Sequence, residues 1–303
     1  RFIGLPGTSN LLEAVVVGDG RLRLRTALLK GLSSLISICT GGSIGREGAV
    51  THLSATLASK CGQWARWEPY RLRLLVACGA AAGISAAYNA PLAGAVFAAQ
   101  IVLGNFSMGV FAPLVMASVV AAMVSRTFFG LGPWYVVPPD VQFTDPWQLP
   151  WFLVLGVVCG GMGAVFLGGV RHAGQLLGRL PGPAFVRMAV GGGIVGLLAI
   201  EFPQVWGNGY GPANDILHGQ FVAGLLGGVL LAKFLATLMT VGSGAVGGVF
   251  TPTLFLGAGV GALFGQLLQS QGLAEELSTA AFALVGMGGV LAATTHSPLL
   301  AML

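Results

Sequence analysis

Arg46 and Glu47 are the only charged residues between Gly31 and Ser59. A charge at the centre of a membrane segment costs about 2.5–3.5 kcal/mol on insertion scales, so such residues point to function. Neighbouring positions on a helix do not face one another, which argues against a pair that merely neutralises itself. The pair lies inside Gly45-Arg46-Glu47-Gly48, a break between two apolar runs. A second break runs through Gly242-Ser243-Gly244-Ala245-Val246-Gly247-Gly248-Val249-Phe250-Thr251-Pro252. Sequence after each break restarts a helix. A helix N-terminus carries unpaired N–H donors and about half a positive charge, and it binds anions. Unwound backbone at membrane depth is tolerated only where it lines a cavity or is buried in protein. Several N-termini converging on one hollow would bind a small anion without trapping it, as conduction requires. A carboxylate beside such donors is itself an anion. Glu47 is therefore expected to sit in an anion position and to leave it on protonation. That makes a gate sensitive to pH and to competing anion.

The elements that position these residues follow from composition. Of 303 residues, 55% are hydrophobic and 8% charged, against about 25% charged in soluble proteins. This excludes a soluble enzyme or a nucleic-acid binder and predicts an all-α polytopic membrane protein. Leu74 to Ser125 and Phe234 to Ala274 contain no Lys, Arg, Asp or Glu. At about 20 residues per span, the first holds two or more membrane helices and the second about two. Helices are predicted over Ala27–Ser43, Ala49–Trp64, Leu72–Tyr88, Leu92–Leu103 and Met108–Thr127. The second half predicts Trp151–Val170, Met188–Ile200, Gln220–Val241, Phe250–Leu268 and Ala281–Ala292. The polar stretch from Gly130 to Pro150 divides the chain, and Trp206 to Gly211 forms a second aromatic and glycine loop. Each half carries one break, the pattern of two inverted repeats, with partial repeats at 1–145 and 146–303. The net charge of +5 is loop chemistry, with basic clusters at Arg21, Arg23, Arg25 and Lys30 and at Lys60, Arg66, Arg71 and Arg73. Both clusters lean cytosolic by the positive-inside rule; both can lie inside if the segment between them is re-entrant but not if it crosses once, which leaves the orientation open. Cys39, Cys61, Cys78 and Cys159 lack metal-ligand or disulfide spacing and read as apolar core. Both ends read as cut, so the chain is expected to be a piece of a longer protein.

These motifs resemble those of the CLC family of chloride channels and chloride/proton antiporters. Gly45 to Gly48 is similar to the family's GREGP or GKEGP segment, and Gly242 to Pro252 to its GSGxPGGxFxP segment. Gly79-Ala80-Ala81-Ala82-Gly83 through Tyr88-Asn89-Ala90-Pro91-Leu92-Ala93-Gly94 resembles GAAAG…FNAPLAG. Gly286-Met287-Gly288 with Leu291 to Pro298 resembles a further family stretch, and Trp206 to Tyr210 resembles the bacterial B-type branch. The resemblance implies a homodimer in a bacterial plasma membrane, with one anion pore per subunit and chloride as the transported ion. No cofactor, metal or nucleic acid is expected. It implies that Glu47 is the external gating glutamate. Backbone amides of Arg46, Glu47 and Gly48 would form the outer anion site, and those of Val249 and Phe250 the central one, with Thr251 nearby. The family's GSGIP serine has no clean counterpart, and Thr8 and Ser9 are the candidates for that hydroxyl. The family's central-site tyrosine would lie past Leu303. The inner proton glutamate of the antiporters would follow Phe97-Ala98-Ala99-Gln100, where this chain has Ile101.

An isoleucine carries no proton, so passive, channel-like anion conduction is the expected mode. A proton-coupled chloride antiporter is the alternative, since Glu47 alone could support partial coupling. A distant alternative is an intramembrane serine hydrolase using Ser243 as nucleophile and His296 as base. His52 follows Glu47 by five positions, so no HExxH zinc site is present. A conduction-dead structural subunit is the blandest reading.

Overall fold

In a computed structural model, residues 9–139, 141, 149–273 and 278–303 are described, Ser9 and Asn10 by their backbone alone. The chain forms thirteen α-helices across these residues: α1 (Ser9–Val16), α2 (Leu24–Cys39), α3 (Glu47–Trp64), α4 (Pro69–Tyr88), α5 (Pro91–Phe97), α6 (Met108–Phe129), α7 (Leu149–Gly178), α8 (Ala184–Glu201), α9 (Tyr210–Leu217), α10 (Ala223–Gly242), α11 (Phe250–Ser270), α12 (Thr279–Thr295) and α13 (Pro298–Ala301). A π-helical turn, Ala98–Leu103, extends α5, and a 3₁₀ turn, Pro203–Val205, follows α8. Among the described residues the only extended pairing is one antiparallel bridge, Gly45 with Gly248.

Among the described residues, five helices are long and apolar enough to cross a membrane: α6, α7, α8, α10 and α11. Their burial separates them. The most apolar window of α11 is 72% buried, whereas those of α6 and α8 are 17% buried. α11 is thus a central helix wrapped by protein, and α6 and α8 turn apolar surface to lipid. α2 does the same on one side, exposing Leu28, Leu32, Leu35 and Ile36 while burying Ala27, Ser34 and Ser37.

Small residues let the inner helices approach. Gly257, Gly261 and Gly265 fall at four-residue spacing on the α11 face that meets α12, the small-residue packing familiar in membrane helices. A Cβ at Gly257 would strike the Gly286 carbonyl, and one at Gly261 the Phe282 carbonyl. The α3–α4 pair is built likewise, since a Cβ at Gly79 would lie 2.7 Å from both Ala58 Cβ and the Ser54 carbonyl. In both cases the helix that starts at a break is clamped to the helix that follows it.

The predicted elements recur with specific shifts. α3 begins at Glu47 rather than Ala49, so the charged residue lies in the first helical turn. α7 runs on to Gly178, beyond the predicted end at Val170, carrying Arg171 and His172 on exposed positions. α4 ends at Tyr88 because Asn89 adopts a left-handed conformation at φ 58° and Pro91 starts the next helix.

Candidate anion pathway

The two breaks meet. Gly45 N–H donates to the Gly248 carbonyl at 2.7 Å, and Gly248 N–H returns the bond to Gly45 at 2.8 Å. Gly48 packs against the same segment, 3.5 Å from its would-be Cβ to Gly248 N. Two further bonds hold the first break to α10. Ser43 N–H donates to Thr240 Oγ1 at 3.2 Å, and the Ser43 and Thr237 hydroxyls lie 3.0 Å apart. α3 and α11 therefore start side by side, and neither N-cap residue, Arg46 or Val249, supplies a side-chain cap.

Glu47 fills this junction. Its side chain is 3% exposed. Oε1 accepts the Thr251 N–H at 2.8 Å, and Oε2 accepts the Thr251 hydroxyl at 3.1 Å. A carboxylate from the first turn of α3 thus rests on the first turn of α11, where peptide donors have no acceptor within the helix. Hydrogen bonds to an ionised group contribute about 1.5–3 kcal/mol each, so this seat is held firmly. Val249, Phe250 and Thr251 are all buried beside it. The sequence-predicted residues Glu47, Gly48, Val249, Phe250 and Thr251 therefore lie together. Thr8 lies outside the described residues, and Ser9 opens α1 as backbone only.

Arg46 turns away from its neighbour. Its Nη2 donates to the Ala87 carbonyl at 3.3 Å, and its guanidinium lies 4.5 Å from the Trp134 ring centroid and 5.6 Å from that of Tyr210. Such cation–π contacts hold a charge without neutralising it. Asn214 on α9 fixes the aromatic loop, donating to the Trp134 carbonyl at 2.9 Å and accepting the Val136 N–H at 2.8 Å. The two stretches that read as plain interruptions, around Trp134 and around Trp206 to Gly211, thus join over Arg46.

Two residues escaped the sequence reading. Lys233 lies within α10, fully buried, with Nζ donating to the Val205 carbonyl at 3.0 Å and the Gly207 carbonyl at 2.9 Å. It also lies 5.4 Å from the Phe255 ring centroid. Gly209, at φ 83°, gives it room: a Cβ there would sit 3.2 Å from Nζ. A lone lysine inside an apolar span was the available signal. Replacing it by Met keeps the bulk but strands both carbonyls, so Lys233→Met is expected to lose about 1–3 kcal/mol, read as a lower melting temperature in detergent. The second residue is Tyr88, whose hydroxyl lies 3.0 Å from Thr251 Oγ1. It stands where the family pattern has Phe, and that departure was its signal.

Ser243 does not carry a nucleophile's geometry. Its hydroxyl donates to the Thr240 carbonyl at 2.8 Å as the C-cap of α10, and His296 is the left-handed C-cap of α12 at φ 55°. Among the described residues no cluster of His, Cys, Asp or Glu is set to hold a metal.

The profile of the family described as voltage-gated chloride channel matches residues 4–303. The chain belongs to that family. Membership in the CLC family makes it an integral membrane protein of a family of anion channels and transporters. A protein of Ralstonia nicotianae described as a ClcB-like chloride channel is 43% identical over 307 residues, covering 100% of this chain and 71% of the relative. The voltage-gated ClC-type chloride channel ClcB of Escherichia coli is 38% identical over 291 residues, covering 94% of this chain and 68% of that protein. The crystal structure of a slow cyanobacterial Cl⁻/H⁺ antiporter superposes with TM-score 0.87 at 26% identity, over 98% of this chain and 71% of that one. The CLC fold of this chain, with helices broken at both glycine strings, is thereby established.

Proposed function

We propose that this CLC protein conducts chloride passively through a pathway at the junction of α3 and α11, gated by the Glu47 carboxylate. The observation that carries the reading is the seat of Glu47 on the Thr251 N–H and hydroxyl. An anionic group bound there occupies a position suited to a halide, and protonation removes the charge that holds it. The peptide groups of Arg46, Glu47 and Gly48 supply the outer anion site. Those of Val249 and Phe250 supply the central one, beside Thr251. Arg46 adds a long-range attraction for anions at the outer end, held open by its aromatic neighbours.

Passive conduction is supported by Ile101. It lies in the π-helical turn and packs on the apolar cluster of α4 and α5. An aliphatic side chain in that position relays no proton. The working unit is a homodimer in a bacterial inner membrane, with one pathway in each subunit. The second reading, proton-coupled exchange, is favoured by the solved structures of like fold, which are described as antiporters. Reversal potentials of the purified protein, measured under separate chloride and proton gradients, distinguish the two. Passive conduction predicts a potential set by the chloride gradient alone and unmoved by the proton gradient. Stoichiometric proton counter-transport would overturn it, and Ile101 would then not mark a channel.

A further inference from the structure

The Tyr88 hydroxyl forms no contact with Glu47 in the hydrogen-bond pattern above, yet it fixes what Thr251 can do. Thr251 Oγ1 has one proton and two acceptor lone pairs. An ionised carboxylate only accepts, so the Thr251 proton points to Glu47 Oε2 at 3.1 Å. The 3.0 Å contact between Tyr88 Oη and Thr251 Oγ1 must then run from the phenol to the threonine. Both protons are directed toward the buried negative charge, and such chained hydrogen bonds polarise one another. The ring cannot swing aside freely. It ends α4 at the Asn89 turn and lies 5.9 Å from the Phe250 ring, which in turn packs edge-on to Phe97 at 6.4 Å.

We propose that Tyr88 is a positioning residue for the anion site: it donates to Thr251 so that the threonine hydroxyl is held as a donor to whichever anion, carboxylate or chloride, occupies the seat at the start of α11. The inference rests on the proposed pathway and deepens it. Without the phenol, the Thr251 hydroxyl is freer to rotate toward the carbonyls three and four residues back, at Gly248 and Gly247, in the manner of the bond Thr253 makes to Phe250 at 2.7 Å. The seat then loses one oriented donor. Its occupant, whether Glu47 or chloride, is held less tightly. The other ionisable groups acting on this cluster are Arg46, Tyr135 and Tyr210, and the Tyr210 hydroxyl also neighbours those of Thr251 and Tyr88.

The test is Tyr88→Phe in the full-length protein, reconstituted in liposomes and compared in the wild-type and Glu47→Ala backgrounds. A net hydrogen bond of ordinary strength corresponds to roughly a two- to tenfold change in equilibrium. In the Glu47→Ala background, Tyr88→Phe is expected to raise the chloride concentration for half-maximal flux by about that factor. In the wild-type background it moves the acid-activation midpoint to higher pH, because the carboxylate is held less well in its charged form. Removing Thr251's hydroxyl with Thr251→Val should abolish both effects of Tyr88→Phe, since the tyrosine acts only through it. A merely structural tyrosine would lower thermal stability and leave the midpoint and the coupling unchanged. Glu47→Ala that conducts chloride with an affinity indifferent to Tyr88→Phe overturns this inference alone. Glu47→Ala that conducts no anion overturns the pathway, and this inference with it.

Discussion

Glu47→Ala is expected to conduct chloride at a high rate that no longer responds to pH. In the wild type the carboxylate holds its seat on Thr251 through the N–H at 2.8 Å and the hydroxyl at 3.1 Å. One charge-assisted bond of about 1.5–3 kcal/mol, once lost, raises the fraction of open pathways by roughly ten- to hundredfold. The wild type should therefore be slow near neutral pH and speed up as acid neutralises the carboxylate. The Ala variant should match the acid-activated wild type across the whole titration range. Glu47→Gln tests the charge separately from the bulk. Its amide oxygen still accepts from the Thr251 N–H, but as a neutral group it competes weakly with chloride. It should also be fast and flat with pH. Chloride flux from loaded liposomes, measured as external pH is varied, checks both. Acid stimulation persisting in the Ala variant would assign the gate to another group.

How much of this was readable beforehand depends on the range of the interaction involved. The breaks were legible because glycine strings and one isolated charge pair interrupt apolar sequence, and both are local signals. That the breaks lie together followed only from the expectation of a shared hollow, and the structure makes it definite with the Gly45–Gly248 bridge. Thr251 was legible as a neighbour of the second break, but its role as partner of Glu47 was not, since the contact joins residues 204 positions apart. Helix α9 was missed for a different reason. Gly-Asn-Gly-Tyr-Gly-Pro reads as loop, yet the structure places Pro212 in the first turn of a helix, where its missing N–H is no loss. The expected end of α7 at Val170 falls just before Arg171 and His172. On an exposed helical face they are simply solvated, and α7 continues past them. Lys233 is legible as a lone charge inside an apolar span, but its partners are not. Its burial is stabilised by two carbonyls from a distant loop, which no periodicity encodes.

Gly45→Ala is expected to slow flux whether or not Glu47 is present. Gly45 does not adopt a left-handed backbone conformation, so its φ admits a side chain. Space is what forbids one. A Cβ at Gly45 would overlap the Glu47 Cδ, Oε1 and Oε2 atoms. Those are the flexible end of a side chain, so the methyl can be accommodated by moving the carboxylate, with little loss of stability. If the carboxylate were only a plug, Gly45→Ala would mimic Glu47→Ala and open the pathway. If the carboxylate occupies an anion position, the methyl fills that position itself and excludes chloride. Forcing an ion past an added methyl at an ordinary overpacking penalty of about 1–3 kcal/mol slows flux by roughly five- to 150-fold. The double variant Gly45→Ala/Glu47→Ala decides between the two. It should remain slow at every pH, while Glu47→Ala alone is fast. Matching melting temperatures of the two proteins in detergent would show that the loss is in the pathway and not in folding. Fast flux from the double variant would mean that chloride crosses this junction along another line, and that Glu47 guards the seat without sharing it.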